Sequence, residues 1–294
     1  MAKHRFTGTM SALPTPFDAS GKLLKKTVRE LVEWEIQQGT YGFYVCGSTG
    51  EGPVLPASVR KEMLEEVLDT VKGRVPVIAH TGSIDCAAGV DLTKHATAAG
   101  ANGISSVPPN FYFTYNETEI VEYYKRMAGS TNLPFILYAV PYMANLDING
   151  MMAKLLSVEN ICGLKDTRAN YYAMWQLRQL NNGDINIING PDEMLICGLT
   201  MGADGGIGST YNVMTDWYAN LFKKFTAGDF EGARQQQYRI NKVIQVLLKY
   251  GCLPAIKAYL TAKGFDMGVP AFPKPAIDAD TAAKLVKEID ALKG

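Results

Sequence analysis

The chain is 294 residues long, and 29 lysines and arginines offset 29 aspartates and glutamates to a net charge of zero. A content of 47% hydrophobic and 20% charged residues belongs to a folded globular chain and excludes a disordered one. Without a basic excess, nucleic acid and anionic membranes are excluded as main partners, and the length admits one large barrel or two small domains.

In chain order, short apolar and β-branched runs begin at Thr9 (TMSAL), Gly42 (GFYVC), Val75 (VPVIA), Gly103 (GISSV), Phe135 (FILYAV), Ile161 (ICGLK), Ile185 (INIIN) and Gly205 (GGIG). Successive starts lie 20 to 33 residues apart, and a βαβ crossover needs at least about 10–12. Between the first two runs, Val28, Leu31, Val32, Glu35 and Ile36 trace one helical face, apolar apart from the glutamate, and Gly39 is a C-terminal stop. Val59, Met63, Leu64, Val67, Leu68 and Val71 do the same within residues 58–71. The run 75–79 lacks polar alternation, as parallel strands covered on both faces do. Eight such units predict an α/β fold, a (β/α)8 TIM barrel. A doubly wound sheet would need a glycine-rich fingerprint after the first strand, where Leu13-Pro14-Thr15-Pro16 stands instead. From about Trp217 the pattern is helical to the end, interrupted over 264–275. Residues 1–294 are therefore expected to form one barrel domain with additional C-terminal helices.

Barrel chemistry collects at the C-terminal strand ends. After the second strand, Gly47-Ser48-Thr49-Gly50-Glu51-Gly52 is a tight turn whose N–H groups can converge on a small anion. It is no P-loop, because Gly-Lys-Ser/Thr is missing; the bland alternative is a solvated turn. Tyr138 closes the fifth strand, as a core residue or as a proton carrier facing the mouth, and residue type alone favours the core. Lys165 closes the sixth, where a lysine ordinarily snorkels or pairs with a neighbour such as Asp166. The sharper reading is a Schiff-base nucleophile. Such a lysine must spend time neutral, so its pKa must fall from ~10.4 towards ~7, roughly 4 kcal/mol. A partly dry mouth can supply that, and Gly163 would leave room for a substrate. After the seventh strand, Asp192 and Glu193 fall at a helix start, where the dipole favours acids; they also suit the hydroxyls of a polyol. After the eighth, 202–210 is a glycine-rich close-approach segment that does not fit G-x-G-x-x-G.

The three histidines, His4, His80 and His95, form no metal-ligand cluster, and no G-x-S-x-G elbow is present. The five cysteines are 40, 76, 35 and 55 positions apart with no C-x-x-C pair. A reducing, cytoplasmic setting is expected over a disulfide or zinc framework. No apolar stretch follows the N-terminal Met-Ala-Lys-His-Arg, and none approaches the ~18 residues of a membrane span.

Gly47-Ser48-Thr49-Gly50-Glu51, Tyr138-x-x-Pro141, Gly163-Leu164-Lys165 and the run from Gly202 to Asn212 occur in order at successive strand ends. Over essentially the whole chain they resemble the N-acetylneuraminate lyase and dihydrodipicolinate synthase family of pyruvate-handling class I aldolases. The details are most similar to its sialic acid lyase branch. Ser48-Thr49 replaces the Thr-Thr of the synthases, and Tyr142-Met143-Ala144-Asn145 after Pro141 lacks their arginine. Gly190, Asp192, Glu193 and Ser209 match lyase residues that contact sugar hydroxyls. Ala139 departs from the usual asparagine, and Lys165-Asp166-Thr167 also resembles some 2-keto-3-deoxy sugar acid aldolases.

The resemblance implies reversible cleavage of N-acetylneuraminate to pyruvate and N-acetylmannosamine, with no cofactor and no metal. Ser48 and Thr49 would hold the substrate carboxylate, Lys165 would form the imine and Tyr138 would be the base. Thr167, Gly190, Asp192, Glu193 and Ser209 would orient the sugar. A homotetramer is also implied, with 111–113 near a subunit boundary and Tyr112 lending its hydroxyl across it, though a purely packing cluster fits there as well. A dihydrodipicolinate synthase, a 2-keto-3-deoxy sugar acid aldolase and a non-catalytic keto-acid sensor remain the alternatives.

Overall fold

The computed structural model describes residues 6–109 and 113–294. Its strands are β1 (Gly8–Ala12), β2 (Gly42–Val45), β3 (Val77–His80), β4 (Gly103–Ser106), β5 (Phe135–Ala139), β6 (Ile161–Asp166), β7 (Asn186–Asn189) and β8 (Gly205–Gly208). They close into a parallel barrel in sequence order, β8 returning to β1. All eight start within two residues of the positions read from the sequence. The largest offset is at β3, which begins after Pro76, a residue with no N–H for the ladder.

Closure depends on glycine at particular points. A Cβ on Gly205 would lie 2.1 Å from the Gly8 carbonyl oxygen, so the β8–β1 seam tolerates no side chain there. In β6 the register shifts between Phe135 and Ile136, which pair with Ile161 and Gly163, leaving Cys162 as the extra residue of a bulge. At Gly163 a Cβ would come within 1.8 Å of the Asn186 carbonyl oxygen. This corrects the expectation that Gly163 leaves room for a substrate: the space is filled by the β7 backbone.

Around the barrel run α1 (Lys25–Gln37), α2 (Ala57–Val71), α3 (Cys86–Ala99), α4 (Glu117–Ala128), α5 (Ile148–Leu155), α6 (Tyr171–Arg178), α7 (Leu195–Thr200) and α8 (Thr215–Thr226). Trp217 thus belongs to the helix that follows β8. Beyond it, α9 (Phe230–Lys249), α10 (Cys252–Ala262) and α11 (Ala279–Lys293) pack on one another and against the segments following β7 and β8. The added helices therefore brace the mouth. Gln237 and Asn241 of α9 donate to the Asp192 and Glu193 carbonyls at 3.2 and 3.0 Å. No single helix among the described residues is long and apolar enough to cross a membrane.

The lone glutamate in the apolar stripe of α1 is fully buried. Neither Glu35 oxygen completes a hydrogen bond among the described residues, and the polar group facing it is the Ser11 hydroxyl on β1. Burial pushes its pKa up to about 8 from an ordinary 4.5, against a small opposing effect of Ser11. A folded pKa above the unfolded one gives stability that is fully present below pH 4.5 and lost as pH rises through 8. Glu35→Gln should remove that slope. Its stability should exceed that of the wild type by a margin that grows between pH 5 and 8, with an upper bound of about 4–5 kcal/mol, read as a widening gap in melting temperature. Thermal melts with the same offset at both pH values would contradict a buried, proton-holding Glu35.

Candidate active site

The β5–β6 register sets Tyr138 beside Lys165. Lys165 is buried, with its Nζ 4.1 Å from the centroid of the Tyr138 ring and 5.4 Å from that of Tyr44. It takes part in no ion pair among the described residues. Successive strand residues point to opposite faces, so Asp166 faces away from Lys165. Both Asp166 oxygens bind Arg168, Oδ1 accepting from Nε at 2.9 Å and Oδ2 from Nη2 at 2.7 Å. The ordinary expectation for a rim lysine, pairing with its neighbouring acid, is thereby replaced. Lys165 is left among aromatic faces, and the carboxylate that feels its charge is Asp192, with which it forms no ion pair.

Tyr138 is 6% exposed, and its phenol oxygen meets Lys165, Ser48 and Thr167. Burial raises its pKa. The charge of Lys165, then hydrogen bonds from Lys165, Ser48 and Thr167, outweigh burial and bring the group below the ordinary 10.0. Tyr44 lies edge-on to Tyr138 at 6.1 Å, and its hydroxyl bonds Ser105 at 3.0 Å. Burial, followed by the nearby Tyr138, drives Tyr44 the other way, well above 10. His80 completes this wall. Its Nδ1 is 3.1 Å from the Cys46 carbonyl and its Nε2 accepts the Val107 N–H at 3.2 Å, so the neutral ring carries its proton on Nδ1. Burial, then the Arg60 charge, hold its pKa near 3. One phenol poised to ionise among others that resist it gives a spectroscopic prediction. Absorbance at the phenolate band should show an early transition below the usual tyrosine range, lost in Tyr138→Phe. In Lys165→Met it should move upward, because the ammonium favours the phenolate. If Tyr138→Phe leaves the early transition in place, the assignment to Tyr138 is wrong.

The turn after β2 is held by bonds from Glu51 N–H to the Ser48 carbonyl and from Gly52 N–H to that of Gly47, both 3.1 Å. A Cβ at Gly52 would stand 1.8 Å from the Cys46 oxygen, which explains that glycine. Ser48 is exposed and Thr49 half-buried. Their N–H groups have no partner among the described residues, so the turn presents free donors beside the Tyr138 oxygen. Glu51 points away from them, its carboxylate buried against Lys257 of α10 at 2.6 Å.

Across the mouth, the acids after β7 open a short 3-10 helix, Asp192–Met194, yet neither caps it. Asp192 Oδ2 instead accepts from Thr210 N–H and Oγ1, each at 2.8 Å, and from Ser209 Oγ at 3.3 Å. Burial raises Asp192 to about 6, opposed by the two Thr210 bonds. Oδ1 has no hydrogen-bond partner among the described residues. Glu193 is exposed, and Ser209 is half-buried with Cys252 Sγ 4.0 Å from its hydroxyl. A Cβ on Gly190 would sit 2.0 Å from Thr167 Oγ1, so that glycine lets Thr167 lie flat beneath β7.

The predicted residues thus fall into two touching groups: Lys165, Tyr138, Ser48, Thr49 and Thr167 on one side, and Gly190, Asp192, Glu193 and Ser209 on the other. Tyr112 and Phe111 lie outside the described residues, and Phe113 is exposed. Sequence reading missed Tyr44, His80, Ser105, Cys252 and Arg168. Only Arg168 left a local signal, a guanidinium two positions from a carboxylate at a strand end, where period two puts both on one face.

A closed (β/α)8 barrel with a buried lysine at its strand ends, outside every ion pair of the described residues, has the architecture of a lysine-dependent aldolase. The chain belongs to the dihydrodipicolinate synthetase family, whose model matches residues 5–292. Over 255 residues it is 37% identical to N-acetylneuraminate lyase of Escherichia coli (strain SMS-3-5 / SECEC), covering 86% of this chain and 85% of that protein. Among solved structures, Proteus mirabilis N-acetylneuraminate lyase superposes with a TM-score of 0.93 at 28% identity, covering 98% of this chain and 99% of that one. The Ruminococcus gnavus sialic acid aldolase gives 0.92 at 27% identity and 99% coverage of both chains. That aldolase has also been solved as a catalytic lysine mutant.

Proposed function

We propose that the protein is a class I aldolase that cleaves N-acetylneuraminate reversibly to pyruvate and N-acetylmannosamine through an imine at Lys165. The carrying observation is the setting of Lys165, buried between two tyrosine rings and outside every ion pair of the described residues, in a chain 37% identical to a lyase of that name. The lysine mutant of the related sialic acid aldolase supports the same role.

In this reading the open-chain substrate places its carboxylate on the free N–H groups and hydroxyls of Ser48 and Thr49. Neutral Lys165 Nζ adds to the C2 ketone, and loss of water leaves a protonated imine, the electron sink. Tyr138, assisted by the substrate carboxylate, takes the proton of the C4 hydroxyl. The C3–C4 pair moves into the imine, releasing the aldehyde N-acetylmannosamine and leaving an enamine. Protonation at C3 and hydrolysis return pyruvate and Lys165. The imine supplies the electron sink, so the sequence of steps needs no metal or cofactor. Thr167, Gly190, Asp192, Glu193 and Ser209 orient the sugar, carboxylates being suited to accept from hydroxyls. We also take the enzyme to be a homotetramer, the assembly that its sequence resemblance implies, in the reducing, cytoplasmic setting that its cysteine spacing suggests.

Residues 142–145 contain no cation for a second carboxylate, which disfavours the dihydrodipicolinate synthase reading. Asp166 faces outward against Arg168, so the Lys-Asp-Thr triplet says little for a 2-keto-3-deoxy sugar acid. The test is borohydride reduction with pyruvate, followed by peptide mapping, beside a coupled assay for pyruvate release from the three candidate substrates. A stable adduct on Lys165 and fastest release from N-acetylneuraminate are expected. An adduct elsewhere, or none, would sink the mechanism; faster release from another acid would overturn the substrate.

A further inference from the structure

We infer that Tyr218 of α8 is a positioning residue for sugar binding: through the Thr210 hydroxyl it fixes the Asp192 carboxylate so that Oδ1 alone is left to accept a sugar hydroxyl. The inference rests on the proposed aldolase reading and extends it to two buried residues, Thr210 and Tyr218, that touch no substrate themselves.

The three side chains form one line of short hydrogen bonds. Tyr218 Oη lies 2.7 Å from Thr210 Oγ1, which lies 2.8 Å from Asp192 Oδ2. Counting protons fixes the direction. A carboxylate only accepts, so the single hydroxyl proton of Thr210 is committed to Asp192, and Tyr218 must be the donor to Thr210. Burial, then the Asp192 charge, drive the Tyr218 phenol well above 10, so it keeps the proton it donates. All three residues are buried, Tyr218 completely, and water does not compete for these bonds. Oδ2 also accepts the Thr210 N–H at 2.8 Å and the Ser209 hydroxyl at 3.3 Å, so three donors saturate it. The Asp192 carbonyl is held too, by Gln237 Nε2 of α9 at 3.2 Å and more distantly by Tyr218 Oη at 3.4 Å. The Tyr218 ring is itself fixed by stacking on Tyr211, centroids 3.7 Å apart at 28°. Every hydrogen bond to the Asp192 carboxylate from the described residues thus ends on Oδ2. A Cβ on Gly208 would stand 2.1 Å from Oδ1, so the glycine that ends β8 keeps the place of that oxygen clear. One oxygen anchored from within and the other free to accept is the arrangement that recognises a hydroxyl.

The test is the condensation of pyruvate with N-acetylmannosamine, each varied in turn. Tyr218→Phe keeps the ring on Tyr211 and removes only the hydroxyl. KM for N-acetylmannosamine should rise about fivefold to tenfold, the scale of one hydrogen bond. KM for pyruvate and the yield of the borohydride-trapped adduct should stay within about twofold of wild type, a split that general loosening of the fold would not produce. Thr210→Val should raise the sugar KM at least as far, and adding Tyr218→Phe to it should change little more, because the relay is already cut. Thr210→Ser keeps the hydroxyl and should stay within about twofold of wild type. Should Tyr218→Phe fail to fold, Thr210→Val against Thr210→Ser carries the same comparison. An unchanged sugar KM, equal changes for both substrates, additive losses in the double variant, or Thr210→Ser behaving like Thr210→Val each overturn the positioning role. A wild-type protein that forms no N-acetylneuraminate from the two substrates overturns the aldolase reading itself.

Discussion

Lys165→Met should abolish aldol cleavage, with kcat falling by about 10⁴-fold or more, because no other group near the Tyr138 ring offers a nucleophilic amine for the covalent route. The substitution is close to isosteric along the stem, and it removes a buried polar amine that forms no ion pair among the described residues. Folding stability should therefore hold or rise while activity disappears. That combination separates chemistry from collapse: a thermal melt at or above the wild-type value, no adduct after borohydride reduction, and no pyruvate released. Lys165→Arg should be equally dead, since a guanidinium does not add to a ketone. Residual kcat above about one per cent in either variant would mean that cleavage runs without an imine at this position.

The barrel was legible because its strands obey one simple constraint. Parallel strands covered by helices read as unbroken apolar runs, and the eight runs fall in the right order with room for a helix between each. What the runs do not reveal is phase. A bulge at Cys162 decides which face of β6 the following residues occupy, and it places Lys165 and Thr167 inward and Asp166 outward. From the sequence, Gly163 looked like space for a ligand; in three dimensions it accommodates the β7 backbone. The acids after β7 looked like helix caps, whereas Asp192 reaches across to Thr210 and so fastens two strand ends together. Tyr44 and His80 close the wall around Lys165 from within β2 and β3, and nothing local marks them as inward-facing. Glu35 shows the converse: one glutamate in an apolar stripe was visible as an anomaly, and it is the carboxyl with the most perturbed setting in the helix layer.

Long-range pairing is the feature least accessible to pattern reading, and Glu51 gives the second large prediction. In sequence it ends the anion-binding turn. In the fold its carboxylate is 3% exposed, 2.6 Å from the Nζ of Lys257, itself 2% exposed, and it accepts the Ala271 N–H at 2.5 Å. Lys257 Nζ also donates to the Val269 carbonyl at 2.8 Å and lies 4.0 Å from the Phe17 ring centroid. The C-terminal helices are thereby locked to the turn that presents Ser48 and Thr49. Lys257→Met leaves a carboxylate buried without its cation, which should cost about 3–5 kcal/mol of stability, a fall in melting temperature on the order of 10 °C. Because Glu51 is held at φ 57, losing its anchor should also loosen the turn and raise KM for pyruvate. Glu51→Gln in the same chain removes the stranded charge and should recover most of the lost stability. The pyruvate KM should recover less, since a neutral amide does not restore the lock between turn and α10. A single Lys257→Met variant that melts with the wild type would show that the pair contributes nothing. If the double variant regained both stability and KM, the turn would owe its shape to its own glycines alone.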